Sequence, residues 1–144
     1  MPRPIVASLA GALLAVLLLA PGARAQDESR CVGGQTPGGV IIVLFNRGQS
    51  FINARAQREI ADIARKAIAQ KAYLLCLEGF ADASSGQEQV LELARMRAEA
   101  VATELAANGY PRDKIFVRKV TDPKKLFGRK ESATERKVEI RYGR

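Results

Sequence analysis

The chain has 144 residues, with 23 basic and 15 acidic side chains, a formal net charge of +8, two cysteines and no histidine. The absence of histidine removes the usual catalytic triads and most catalytic zinc sites, and two cysteines alone do not make a structural zinc centre. Residues 1–25 read as a targeting segment, which leaves chain enough for one modest core and no second domain.

That segment, MPRPIVASLAGALLAVLLLAPGARA, starts positive at Arg3, is almost all apolar from 5 to 20 and breaks at Pro21 and Gly22. Ala23-Arg24-Ala25 then supplies the small-x-small pattern of a signal peptidase site. Its apolar run is short beside the roughly 17–25 residues of a membrane span. Cleavage after Ala25 and a periplasmic address are the expectation, with a retained anchor as the alternative. Position 26 is not cysteine, so lipid attachment there is not expected.

Residues 26–39, QDESRCVGGQTPGG, are polar and glycine-rich and read as a flexible lead-in to a domain over 40–144. VIIVLF (40–45) is a continuous apolar run, predicted as an interior strand covered on both faces. Asn53 is a good N-cap for a helix to about Gln70, with Ala56, Ile60, Ile63, Ala64, Ala67 and Ile68 at helical spacing. AYLLCLEG (72–79) is a second interior strand. A second helix begins near Gly86 or Val90 and runs to Ala107, where Asn108-Gly109 ends it. KIFVRKV (114–120) is a third strand, TDPKKLFGRKESATE (121–135) a charged loop, and RKVEIRY (136–142) a final strand with Val138, Ile140 and Tyr142 on one face.

The order βαβαββ predicts an α/β (α+β) two-layer sandwich: a mixed four-stranded sheet with both helices on one face. Its two crossovers favour parallel pairing.

One residue breaks the pattern. On the second helix Val90, Leu93, Ala94 and Val101 share a face, and Arg97 projects from its centre, while Glu92, Arg95, Glu99 and Thr103 face water. A guanidinium among apolar side chains needs a partner, because an unpaired buried charge is very costly. Asp82 is the only acidic residue between Glu78 and Glu88. It sits just past the C-terminal end of an interior strand, where open α/β sheets place their ligand crevices. Ser85 with Glu88 fits a capping box, so part of that loop also serves helix initiation.

The stretch LEGFADASSGQEQVLELARMRAEAVATEL resembles the signature of outer membrane protein A-like (OmpA-like) C-terminal domains. Gly79, Asp82, Leu93, Arg97, Ala98 and Val101 fall on its positions without a gap. FNRGQSFINARAQREI is similar to the family's first strand-to-helix passage, and ERKVEIRY to its ending, so the likeness spans roughly 40 to 142. Phe80, Ala81, Ser85, Val90, Ala94 and Glu135 depart from it, standing where the family has His or Tyr, Thr, Gly, Asn, Ser and Asn. The resemblance implies non-covalent peptidoglycan binding, with Asp82 and Arg97 gripping the diaminopimelate of the stem peptide. The free end of diaminopimelate carries an ammonium and a carboxylate on one carbon, so its receptor needs one anion and one cation a few ångströms apart. Phe80, Ser85 and Arg136 are candidate secondary contacts. No cofactor or metal is implied. A degenerate domain of the same fold, acting on an envelope protein partner without wall binding, is the competing reading.

The remaining signals concern address and surface. Residues 118–144 hold 10 basic and 4 acidic side chains, whereas residues 26–117 hold 11 of each. For an exported protein this basic end suits an anionic envelope polymer or membrane surface, and no nucleic acid partner is expected. In an oxidising compartment Cys31 and Cys76 are expected to form a disulfide. An enzyme is not expected: Glu78 and Asp82 are the nearest carboxylate pair for glycosidase chemistry, and nothing else supports them.

Overall fold

The computed structural model describes Cys31 and residues 40–81, 87–118 and 136–143. The expected leader, most of the lead-in and the charged loop 121–135 lie outside the described residues.

The polypeptide forms β1 (Ile41–Leu44), α1 (Ala54–Ala69), β2 (Leu74–Gly79), α2 (Gln87–Ala107), a 3-10 turn (Arg112–Lys114), β3 (Ile115–Val117) and β4 (Lys137–Gly143). Asn53 caps α1 as expected: its side-chain oxygen accepts from the Ala56 amide at 2.9 Å. α2 gives way to Gly109, whose φ of 90° favours glycine. The expected third strand is described only as far as Val117, followed by Arg118, whose amide donates to the Leu77 carbonyl at 2.8 Å.

The four strands make one mixed sheet in the order β1-β4-β2-β3. β4 is antiparallel to both β1 and β2, and β2 is parallel to β3. Of the two crossovers only the second joins neighbouring strands, because β4 occupies the place between β1 and β2.

That insertion corrects the reading of 40–45. β1 is an edge strand among the described residues, and Ile42 and Leu44 are 48% and 55% exposed. Val43 and Phe45 face the core instead. A wholly apolar strand usually signals two covered faces, but which strand lies at an edge is decided by the late-coming β4. Ile68, expected on the core stripe of α1, is also exposed.

Register puts Ile41, Val43, Val138, Ile140, Tyr142, Leu75, Leu77 and Ile115 on one face of the sheet. There they pack against Ala56, Ile60, Ile63, Ala64 and Ala67 of α1 and Ala98, Val101, Ala102 and Leu105 of α2. Both helices therefore lie on that face. Gly79 is where sheet and helix come closest: a Cβ there would run into the Ala94 carbonyl and stand 3.3 Å from the Ala98 Cβ. Its place in the signature thus has a packing cause.

The helix-free face carries Ile42, Leu44, Lys137, Glu139, Arg141, Cys76 and Glu78. Cys76 is bonded there to Cys31, with a Cα–Cα distance of 5.7 Å, as expected from the compartment. This crosslink fastens the lead-in to a central strand across 45 residues of sequence. Glu139 sits between Lys137 at 2.8 Å and Arg141 at 2.7 Å. Burial pushes its pKa up, but the hydrogen bonds from those two cations prevail and hold it below the ordinary value.

Candidate functional site

Arg97 is on α2 between Ala94 and Val101, and like them it is buried, with no exposed surface at all. Among the described residues it is the one buried charged side chain. The site is best understood from what compensates that charge.

Among the described residues three backbone carbonyls accept from it. The Arg97 Nε donates to the Gln49 carbonyl at 2.8 Å, Nη1 to Phe80 at 2.9 Å and Nη2 to Asn46 at 3.1 Å. The Phe45 ring closes one side, its centroid 5.4 Å from Cζ. Asn46 and Gln49 belong to the turn after β1, where Gly48 takes a φ of 66°. In that turn the Gln49 amide also donates to the Asn46 carbonyl, at 3.2 Å. Asn46 and Gln49 are exposed residues, yet their carbonyls reach the buried guanidinium. Arg97 thus ties the β1–α1 turn to the end of β2, and the carbonyl dipoles offset the cost of burying the cation.

Of the sequence-predicted residues, Asp82 and Ser85 lie outside the described residues. Phe80 sits beside Arg97 through its carbonyl. Its amide donates to the Lys137 carbonyl at 2.8 Å, and its ring lies 4.9 Å from the Lys137 Nζ. Phe80 therefore links β2, β4 and Arg97. Arg136 is half-buried and lines a cleft of about 260 Å³ with Leu44, Phe45, Asn46, Asn53 and Arg55. Phe45 and Asn46 touch Arg97 and also wall this cleft, which Arg97 itself does not line.

Sequence reasoning missed the carbonyls of Asn46 and Gln49, since a backbone acceptor carries no residue identity. Gly48, in the stretch NRGQ, was the available signal of a turn able to aim them. A larger groove of about 630 Å³ lies between Gly79, the first half of α2 and Arg118, lined chiefly by Leu91, Leu93, Ala94 and Met96. Arg97 does not line it. Among the described residues no group of three or more acidic or cysteine side chains is placed to hold a metal ion.

The model of the OmpA family matches residues 44–139. No curated protein matches the sequence. Among solved structures, the chain is similar to the OmpA-like domain of FopA1 from Francisella tularensis, at 20% identity over 70% of this chain and 69% of that one, with a TM-score of 0.59. It is similar to the peptidoglycan-associated lipoprotein from Burkholderia pseudomallei, at 22% identity over 70% and 88%, with a TM-score of 0.58. The C-terminal domain of MotB from Helicobacter pylori is matched at 22% identity over 74% and 87%, again with a TM-score of 0.58. At such identities these structures speak for the fold.

Proposed function

Because the chain belongs to the OmpA family, we propose that it binds peptidoglycan non-covalently, gripping the diaminopimelate of the stem peptide between Asp82 and Arg97. On this reading it is a binding module of the periplasm rather than an enzyme, exported by its leader and able to organise the envelope at the wall. That one structural relative is a peptidoglycan-associated lipoprotein agrees with it.

The observation that carries the reading is the fixed guanidinium of Arg97, held from three directions at its signature position. A cation ordered before the ligand arrives loses little rotamer freedom on binding. Its N–H groups suit a carboxylate, and Asp82 supplies the anion for the ammonium on the same carbon. Because Arg97 has no exposed surface, an incoming carboxylate must take the place of a present neighbour. A stem peptide with lysine lacks the second carboxylate and is discriminated against.

The same burial favours a second reading, in which Arg97 only ties loop to strand and the domain serves a protein partner in the envelope. Co-sedimentation with purified diaminopimelate-type sacculi separates the two. Wall binding requires retention of the parent protein, at least tenfold weaker retention of both Asp82→Asn and Arg97→Lys at unchanged fold, and weaker binding to lysine-type sacculi. A parent that stays in the supernatant leaves the scaffold reading in place.

A further inference from the structure

The edge strand β1 has both a row of apolar side chains and a row of backbone groups turned away from the rest of the fold. Val40, Ile42 and Leu44 are 38%, 48% and 55% exposed, and alternation puts all three on the helix-free face. The pairing with β4 fixes where the backbone points. The Phe45 amide donates to the Arg136 carbonyl at 2.8 Å, next in register after Leu44 opposite Lys137. In an antiparallel ladder bonded and non-bonded residues alternate. Residues 41, 43 and 45 therefore bond to β4, and the N–H and C=O of Ile42 and Leu44 point outward. Among the described residues no strand lies on that side.

Edges of this kind are ordinarily blunted by charge, proline or a bulge. Residues 40–45 contain no charged residue and no proline. We propose that β1 pairs antiparallel with β1 of a second copy, about a two-fold axis at Val43, joining two sheets into one of eight strands. The register follows from the outward groups: Ile42 of each copy faces Leu44 of the other, and each such pair exchanges two backbone hydrogen bonds. The occupant is a second copy because the strand is uncharged and its outward groups lie symmetrically about Val43. An isologous contact then sets no like charges opposite one another. Behind it on β4, Glu139 stands between Lys137 and Arg141, so the neighbouring row is internally compensated. Val40, Ile42 and Leu44 of the two copies merge into one shared apolar patch. The contact is small beside the ~1,000 Å² of a lasting interface, so the dimer is weak and transient. It does not depend on wall binding.

The test uses protein purified from the envelope of an expressing bacterium with its disulfide intact, sedimented at equilibrium from about 10 µM to about 1 mM. A monomer–dimer equilibrium is expected, together with amide exchange protection at Ile42 and Leu44 that grows with concentration while Val43 is protected throughout. Ile42→Pro removes an outward N–H without touching the β4 ladder, and Leu44→Lys puts charge on the shared patch. Each should weaken dimerisation at least tenfold while the melting curve of the monomer is retained. A monomer across the whole range, or a dimer unaffected by both substitutions, overturns the proposal.

Discussion

Replacing Arg97 by methionine removes the guanidinium while keeping an unbranched stem to fill the same space. Three carbonyls then lose a charge-assisted donor. That of Asn46 keeps the Gln49 amide at 3.2 Å, so the loss falls chiefly on Phe80 and Gln49. A buried acceptor left without a donor costs about 1–3 kcal/mol, and two of them give roughly 2–6 kcal/mol. Relief from burying a charge subtracts from this, and a net loss near 3 kcal/mol is expected. At a urea m-value of about 1.5 kcal/mol/M the unfolding midpoint should fall by roughly 2 M. Arg97→Lys should fall between parent and Arg97→Met, because one ammonium cannot serve three carbonyls set in different directions. A midpoint lowered by less than about 0.5 M in Arg97→Met, with m unchanged, refutes the claim that this cradle fastens the loop to the sheet.

Gly79→Ala sets a methyl against the Ala94 carbonyl and near Ala98; a loss of about 2–3 kcal/mol in denaturant melts is expected, and a neutral outcome would show that α2 shifts freely. Cys31→Ser opens the crosslink to Cys76, for which loop-closure entropy gives about 4 kcal/mol. The thermal midpoint should drop by roughly 10–20 °C, and reductant should reproduce the shift in the parent but not in the variant. Tyr110 donates to the Ala72 carbonyl at 2.9 Å, and burial first, then the nearby Tyr142 and Asp113, push its pKa up to about 12. A phenol whose folded pKa lies above its ordinary 10 binds its proton more tightly in the folded state, so stability is full below pH 10 and is lost as pH rises towards 12. Denaturant midpoints between pH 9 and 12 should slope less steeply in Tyr110→Phe, which also loses about 1 kcal/mol at neutral pH.

Elements set by local signals were legible in the sequence. Asn53 marked the start of α1, Asn108-Gly109 the end of α2, and the alternation in 136–142 gave the buried face of β4. β2 lay between two partners as its apolar run implied. β1 carried the same signal and is an edge, because strand order is settled by a contact made nearly a hundred residues later, which no local window contains. The Arg97 anomaly was legible as an anomaly. Its observed partners were not, since peptide carbonyls look alike in every residue, and only the turn chemistry of Gly48 hinted at how they are aimed.

The signature can now be sorted by cause. Gly79 is required by the approach of α2, Ala98 and Val101 by the core, and Arg97 by the turn and strand it holds together. Each would be kept in a domain that had never met a ligand. Rigid placement of Arg97 is nevertheless what a receptor for a zwitterion requires, because a guanidinium already held from three sides loses little rotamer freedom when a carboxylate displaces a neighbour. On the proposed reading Arg97 would therefore serve both structure and binding. Loss of sacculus binding in Asp82→Asn at unchanged stability is the more discriminating result, whereas loss in an Arg97 variant, which is expected to be less stable, counts only where the protein is still folded under the conditions of the binding assay.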